Sequence, residues 1–201
     1  MEKDILDVFL YRNRARFSEI ESLTGIRSNK LAYYLKNLIS KGVVVKKGEN
    51  YFLSENHENI IPYITDKRAL LPVLLVALEK NGKYFLHHRN KRPYRNFLSL
   101  PGGRILFGEN LKEATKRIMK EKFGINSSFK GVKNISLEHV RKKGKIIHGF
   151  LLLLVSASTN KDIKYYDLEE NRKNIIRSDY FLLKNSLKSE VKVPIINSFV
   201  E

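Results

Sequence analysis

The chain has 201 residues, 42% of them apolar, with a formal net charge of +17 and no cysteine. That length admits one large domain or two small ones with real cores, and the missing thiols exclude disulfides and thiolate metal sites. The cationic excess favours anionic partners: nucleic acid, phosphorylated metabolites or a membrane surface.

The charge is unevenly spread. Residues 1–66 carry 10 Lys+Arg against 9 Asp+Glu, whereas 67–201 carry 28 against 12, so the second part holds +16 of the total. The N-terminal MEKDILDVF lacks a signal-peptide layout, and the apolar run Phe150 to Val155 is far too short to cross a bilayer. A soluble cytoplasmic protein with no membrane partner is expected.

In chain order, Ile5, Leu6 and Phe9 predict a short first helix. Ser18 and Glu21 have capping-box spacing for a second, which carries Ile20 and Leu23 and ends at Thr24-Gly25. Ser28 is the expected N-cap of a third helix running to Ser40 or Lys41, with Leu31, Leu35, Leu38 and Ile39 inward. Val43 to Val45 and Tyr51 to Leu53 around a Gly-bearing turn predict a hairpin.

Three helices and a hairpin resemble the winged helix-turn-helix of many prokaryotic transcription regulators. The resemblance implies DNA as partner and the third helix as the element that enters a major groove. Its outward face would present Asn29, Tyr33, Lys36 and Asn37, with Arg27 and Lys30 near its start and Lys46 and Lys47 in the wing. Asn can read adenine, and Lys or Arg can reach guanine or phosphate. Such domains commonly read two half-sites, so a homodimer is expected.

Residues 55–68 read as a connector with a short helix before Pro62. Beyond it, Ala69 to Leu78 and Tyr84 to Arg89 flank the turn Lys80-Asn81-Gly82-Lys83, and Phe97 to Leu100 follows a basic run at 87–95. Then comes LPGGRILFGENLKEATKRIMKEKFGI at 100–125. It reads as a strand end, a Gly-rich loop and an amphipathic helix whose stripe is Leu111, Ala114, Thr115, Ile118, Met119 and Phe123, stopped by Gly124.

This stretch resembles the signature box of the Nudix superfamily, hydrolases of nucleoside diphosphates linked to another group. Gly103, Glu109, Arg117, Met119, Glu121, Gly124 and Ile125 fall in register, with Pro101-Gly102-Gly103 as lead-in. The resemblance implies acids at 118, 121 and 122 that hold Mg²⁺ against a diphosphate. Here those positions are Ile118, Glu121 and Lys122, and Leu106 replaces a frequent loop acid. An ammonium about 4 Å from a divalent ion is repelled by up to about 8 kcal/mol at an effective dielectric of 20. Glu109 is expected to pair with Arg117.

Downstream, Gly131 to Val140, Ile146 to Ser156 and Ile175 to Leu183 read as strands, and Leu187 and Val193 to Val200 as closing helical turns. Glu169 and Glu170 are the positions from which a further metal-binding acid would come. His87, His88, His139 and His148 lack metal-ligand spacing and read as packing or surface residues.

The expected fold class is α+β: a winged helix-turn-helix at 1–66 and a Nudix-type α/β/α sandwich at 67–201. The expected function is a transcription regulator whose Nudix-like part senses a phosphorylated metabolite through Arg89, Gly102, Gly103, Glu121 and Lys122, with no cofactor. It is similar in concept to the Nudix-related regulators of nicotinamide cofactor metabolism, with the domain order reversed. The alternative is an active hydrolase, with Glu121 and Arg117 catalytic and Mg²⁺ held weakly by Glu121.

Overall fold

The computed structural model describes residues 1–57, 69–91 and 94–195. It divides into two compact units, Met1–Arg68 and Ala69–Glu201.

In the first unit, α1 (Glu2–Val8), α2 (Phe17–Thr24) and α3 (Ser28–Ser40) surround a core of Ile5, Val8, Ile20, Leu31, Leu35 and Leu38. A three-stranded antiparallel sheet of order β1-β3-β2 closes it: β1 (Ala15–Arg16), β2 (Val44–Lys47) and β3 (Asn50–Leu53). The expected capping box is displaced. Glu19, not Glu21, accepts from the Arg16 backbone N–H at 2.7 Å, and α2 starts one residue before Ser18. Ser28 lies inside α3 rather than at its N-cap, its hydroxyl donating instead to Glu21. Leu23 and Ile39, expected inside, are exposed at 54% and 39%, so the apolar stripe of each short helix is narrower than its sequence spacing suggests.

In the second unit the sheet has the order β5-β4-β10-β9, with β8 on the same edge of β4 as β5. Its strands are β4 (Leu71–Lys80), β5 (Lys83–Tyr84), β8 (Gly102–Arg104), β9 (Ser128–Lys142) and β10 (Lys145–Ser158). β4 and β10 pair in parallel, and the other pairs are antiparallel. A separate ribbon joins β6 (His87–His88) to β7 (Leu98–Ser99). The single strand expected over Tyr84 to Arg89 is thus two short pieces with different partners. Asn81 and Gly82 at φ 52° and 72° make the tight turn that sends β5 back along β4.

Alternation along the central strands feeds two cores. Leu74, Val76, Leu78, Leu153 and Val155 face α4 (Leu111–Phe123), whose Ala114, Ile118 and Met119 lie on them. Leu75, Ala77, Leu152 and Leu154 face the other way, onto Leu182 and Leu183 of α5 (Arg177–Asn185). The region expected as a strand at Ile175 to Leu183 is mostly this helix: its apolar residues fall three and four apart at Ile176, Tyr180 and Leu183, and Asp179 sits in its first turn. Val193 to Ile195 form no helix, and the rest of the expected closing turns, with the connector beyond His57, lies outside the described residues.

Candidate functional site

The Gly-rich loop is held to α4 at two points. Asn110 caps the helix, accepting from Glu113 N–H at 2.9 Å while Glu113 accepts from Asn110 N–H at 3.0 Å. The signal for this reciprocal cap, Asn followed three residues later by Glu, stands in the sequence. Just before it, Glu109 accepts from Leu106 N–H at 2.9 Å and from the Arg117 guanidinium through Nη2 at 2.8 Å and also Nε. Arg117 reaches on to the Arg104 carbonyl at 2.9 Å. The Arg117 hydrogen bond holds the Glu109 carboxyl below the usual carboxylate range, and the pair behaves as the architectural strut expected of it.

The second point is unlike the first. Ile118 is fully buried in the core, 3.0 Å through Cγ1 from where a Cβ on Gly103 would stand. Its place is taken up by packing, so it does not present a face to ligand. Lys122 donates through Nζ to the Gly102 carbonyl. Although the residue as a whole is exposed, burial of the amine holds its pKa below the lysine norm, and Lys91, Arg117 and Arg89 push the same way. Gly102 and Gly103 are required by close approach: a Cβ on Gly102 would meet Leu75 Cδ2 at 2.8 Å.

Glu121, the remaining box acid, is exposed and lies 3.6 Å from Arg117 Nη1. The Mg²⁺ that the box resemblance implies does not fit these residues. One acid shared with a guanidinium beside an ammonium is a poor donor set, and among the described residues no three His, Cys, Asp or Glu side chains gather as metal ligands. Glu169, considered as a downstream donor, is bonded to Lys184 at 2.7 Å and to the Tyr180 hydroxyl.

On the α5 side of the sheet lies a cleft of about 90 Å³, which sequence reasoning missed. Val73, Leu75, Phe150 and Leu152 form apolar walls, and Arg89, Tyr94, Glu138 and Asp179 bring polar groups to it. Asp179 is 4% exposed; its Oδ2 accepts from Leu100 N–H at 2.8 Å and Ser99 Oγ–H at 3.0 Å. Burial pushes its carboxyl up to about 6 against those two hydrogen bonds. Arg89 lines this cleft and also acts on Lys122, so cleft and cationic loop adjoin. His87, whose ring centroid is 4.9 Å from that of Phe123, is held below the histidine norm by burial, in keeping with a packing role.

In the first unit, Arg27, Asn29, Lys30, Tyr33 and Lys36 are exposed along α3, with Asn37 half-buried. Lys46 and Lys47 on β2 lie over the Tyr51 and Phe52 rings at 5.5 and 5.7 Å.

No protein-family model matches the chain. A Nudix hydrolase from Nitrosomonas europaea superposes with a TM-score of 0.53 at 13% identity, covering 65% of this chain and 98% of that one. The chain therefore contains a Nudix-type fold. An ADP-ribose pyrophosphatase of Methanocaldococcus jannaschii is 27% identical over 121 residues, 54% of this chain and 71% of that protein. The Nudix domain of Shewanella oneidensis NrtR, crystallised with ADP ribose, is a looser likeness, with a TM-score of 0.47 at 16% identity over 63% of this chain and 94% of that one.

Proposed function

We propose that this chain is a DNA-binding regulator whose second unit binds a nucleoside diphosphate derivative without turning it over. The observation that carries the reading is Lys122 on the Gly102 carbonyl among Arg89, Lys91 and Arg117, with Ile118 in the core. Where the box resemblance implies acids around a cation, Lys122 stands near Arg89, Lys91 and Arg117, a cationic surrounding suited to a diphosphate without metal. The adjoining cleft brings apolar walls and a few polar groups beside the cations, but at about 90 Å³ it is below the size that encloses a nucleoside. The name of the pyrophosphatase relative makes ADP-ribose the first ligand to try.

The first unit supports the DNA half of the reading. Its three helices and β1-β3-β2 sheet have the order of a winged helix, and the exposed face of α3 offers Arg27, Asn29, Lys30, Tyr33 and Lys36 with no acid among them. Lys46 and Lys47 would meet phosphates, and two copies of the chain would read two half-sites.

A second reading, an active hydrolase, is favoured by one feature: Arg117, Glu109 and Glu121 keep a connected arrangement. Discrimination is direct. DNA sequences selected from a random pool are titrated with the full chain, with and without ADP-ribose and with EDTA present. The regulator reading expects ADP-ribose to change DNA affinity by about 5 to 150-fold. Unselective binding that ADP-ribose leaves unchanged, together with Mg²⁺-dependent turnover on the order of 1 per second or faster, would establish the hydrolase instead.

A further inference from the structure

The hairpin of β9 and β10 is longer than the sheet it belongs to. β10 pairs with β4 only from Phe150, opposite Leu71, and Glu138 of β9 faces Phe150 from the other side. Beyond that line 139–142 and 145–149 run on as a two-stranded ribbon, with no third strand beside it among the described residues. At about 3.3 Å per residue it extends about 13 Å. Lys143 and Gly144, at φ 49° and 78°, close it in a tight two-residue turn, and Arg141 Nη1 donates to the Gly144 carbonyl at 3.0 Å. A register shift between Ile146 and His148 adds twist near the point where the ribbon leaves the sheet.

The charge on this ribbon is uncompensated. Residues 141–148 are all exposed, and Arg141, Lys142, Lys143 and Lys145 make no ion pair among the described residues. No Asp or Glu occurs between Glu138 and Asp162 in the sequence. Lys142 stands directly opposite Lys145 on the ladder, and like charges so placed destabilise a hairpin. Lys143 occupies a left-handed turn position that Asn or Gly fills at less cost. Both costs fall on lysines, and the repulsion is relieved when a polyanion lies along the tip.

We propose that the β9–β10 ribbon is a nucleic-acid-binding element that takes the phosphate backbone of a DNA duplex, separate from α3 and from the Gly102–Lys122 loop. A two-stranded ribbon fits a major groove, which is about 8.5 Å deep, so the tip enters while Arg141, Lys142, Lys143 and Lys145 reach phosphates along its walls. An anionic bilayer suits the ribbon less. Ile146 and Ile147, 46% and 36% exposed, stand behind the lysines, so a tip entering lipid would bury its charges first.

The test is fluorescence anisotropy of the full chain with a labelled random-sequence duplex of about twenty base pairs, over a series of salt concentrations. Lys142→Gln/Lys143→Gln/Lys145→Gln should weaken binding by about tenfold or more and lower the salt slope by about 2 to 3. Lys112→Gln/Lys116→Gln/Lys120→Gln removes three exposed lysines from α4 and is the charge-matched control, expected to change the slope little. Lys142→Glu separates binding from folding: it turns a repulsive cross-strand pair into an attractive one, so stability should rise while duplex binding weakens. Loss in the ribbon variant with none in Lys46→Ala supports the ribbon even where the reading of the first unit fails. Equal losses in the ribbon and α4 variants, or no loss in the ribbon variant, overturn the proposal. So does binding to phosphatidylserine vesicles that the ribbon variant loses while it keeps the duplex.

Discussion

Two parts of one helix, α4, meet the Gly-rich loop in opposite ways. Through Arg117 it grips Glu109 and the Arg104 carbonyl with charge-assisted hydrogen bonds. Through Ile118 and Lys122 it offers an apolar plug and an ammonium where the box resemblance implies acids. The difference teaches that the struts which shape such a loop and the acids which would give it metal chemistry are separable on the same helix. Folding needs the first set and is indifferent to the second, provided the substituted side chains pack or solvate.

The sharpest way to break that comparison is to restore the acids one at a time. Ile118→Glu places a carboxylate in a fully buried site and should cost at least about 3 to 5 kcal/mol of stability in denaturant unfolding. Lys122→Glu, which gives up the hydrogen bond to the Gly102 carbonyl, should cost only about 1 kcal/mol while abolishing pyrophosphate binding at the loop. Equal costs would mean that Ile118 is not core.

Next in size is the buried acid. Asp179 has a folded pKa of about 6 against an ordinary value of 3.8, so the folded state binds the extra proton between those values. Stability should therefore fall as pH rises from about 4 to about 6 and level off above, by up to about 3 kcal/mol. Asp179→Asn should flatten that slope in urea titrations across the range. A parent protein with no slope there would remove the assignment.

Much of this site was legible in the sequence because it rests on local spacing. Glu109 and Arg117 and the Gly124 stop follow from the run 100–125, as does the buried stripe, whereas the close approach that requires Gly102 and Gly103 depends on Leu75 and Ile118 and is visible only in the structure. The sequence shows Ile118 as a lost acid on the buried stripe, but not as a plug under Gly103, because that contact joins a helix to a loop fifteen residues earlier. Asp179 was missed for a related reason. A single acid amid Ile175, Ile176, Leu182 and Leu183 reads as a strand interruption until the chain is seen to be helical and its partners, Ser99 and Leu100, lie some 80 residues away in sequence. In the first unit, Glu19 outcompetes the Ser18 and Glu21 pair for the cap because Arg16 N–H is the donor left free at the helix start.

A smaller effect tests the strut. Glu109→Gln should cost about 1 to 3 kcal/mol, since Arg117 loses a charged partner. The parent's carboxyl is held low, so its contribution is present at neutral pH and is lost as pH falls through the folded value. Parent and variant stabilities should converge in acid. The least costly changes lie on α3 and the wing. Asn29→Ala should relax base preference by about 1 to 3 kcal/mol at one position, and Lys46→Ala should lower the salt slope of DNA binding by about 1, with little change in folding for either.

Calorimetry of the full chain with ADP, in EDTA and then in excess Mg²⁺, tests the central claim most directly. Binding of similar affinity in both conditions, lost in Lys122→Glu, is what a metal-free cationic loop predicts. Binding that requires Mg²⁺, survives Lys122→Glu and disappears in Glu121→Gln would contradict it.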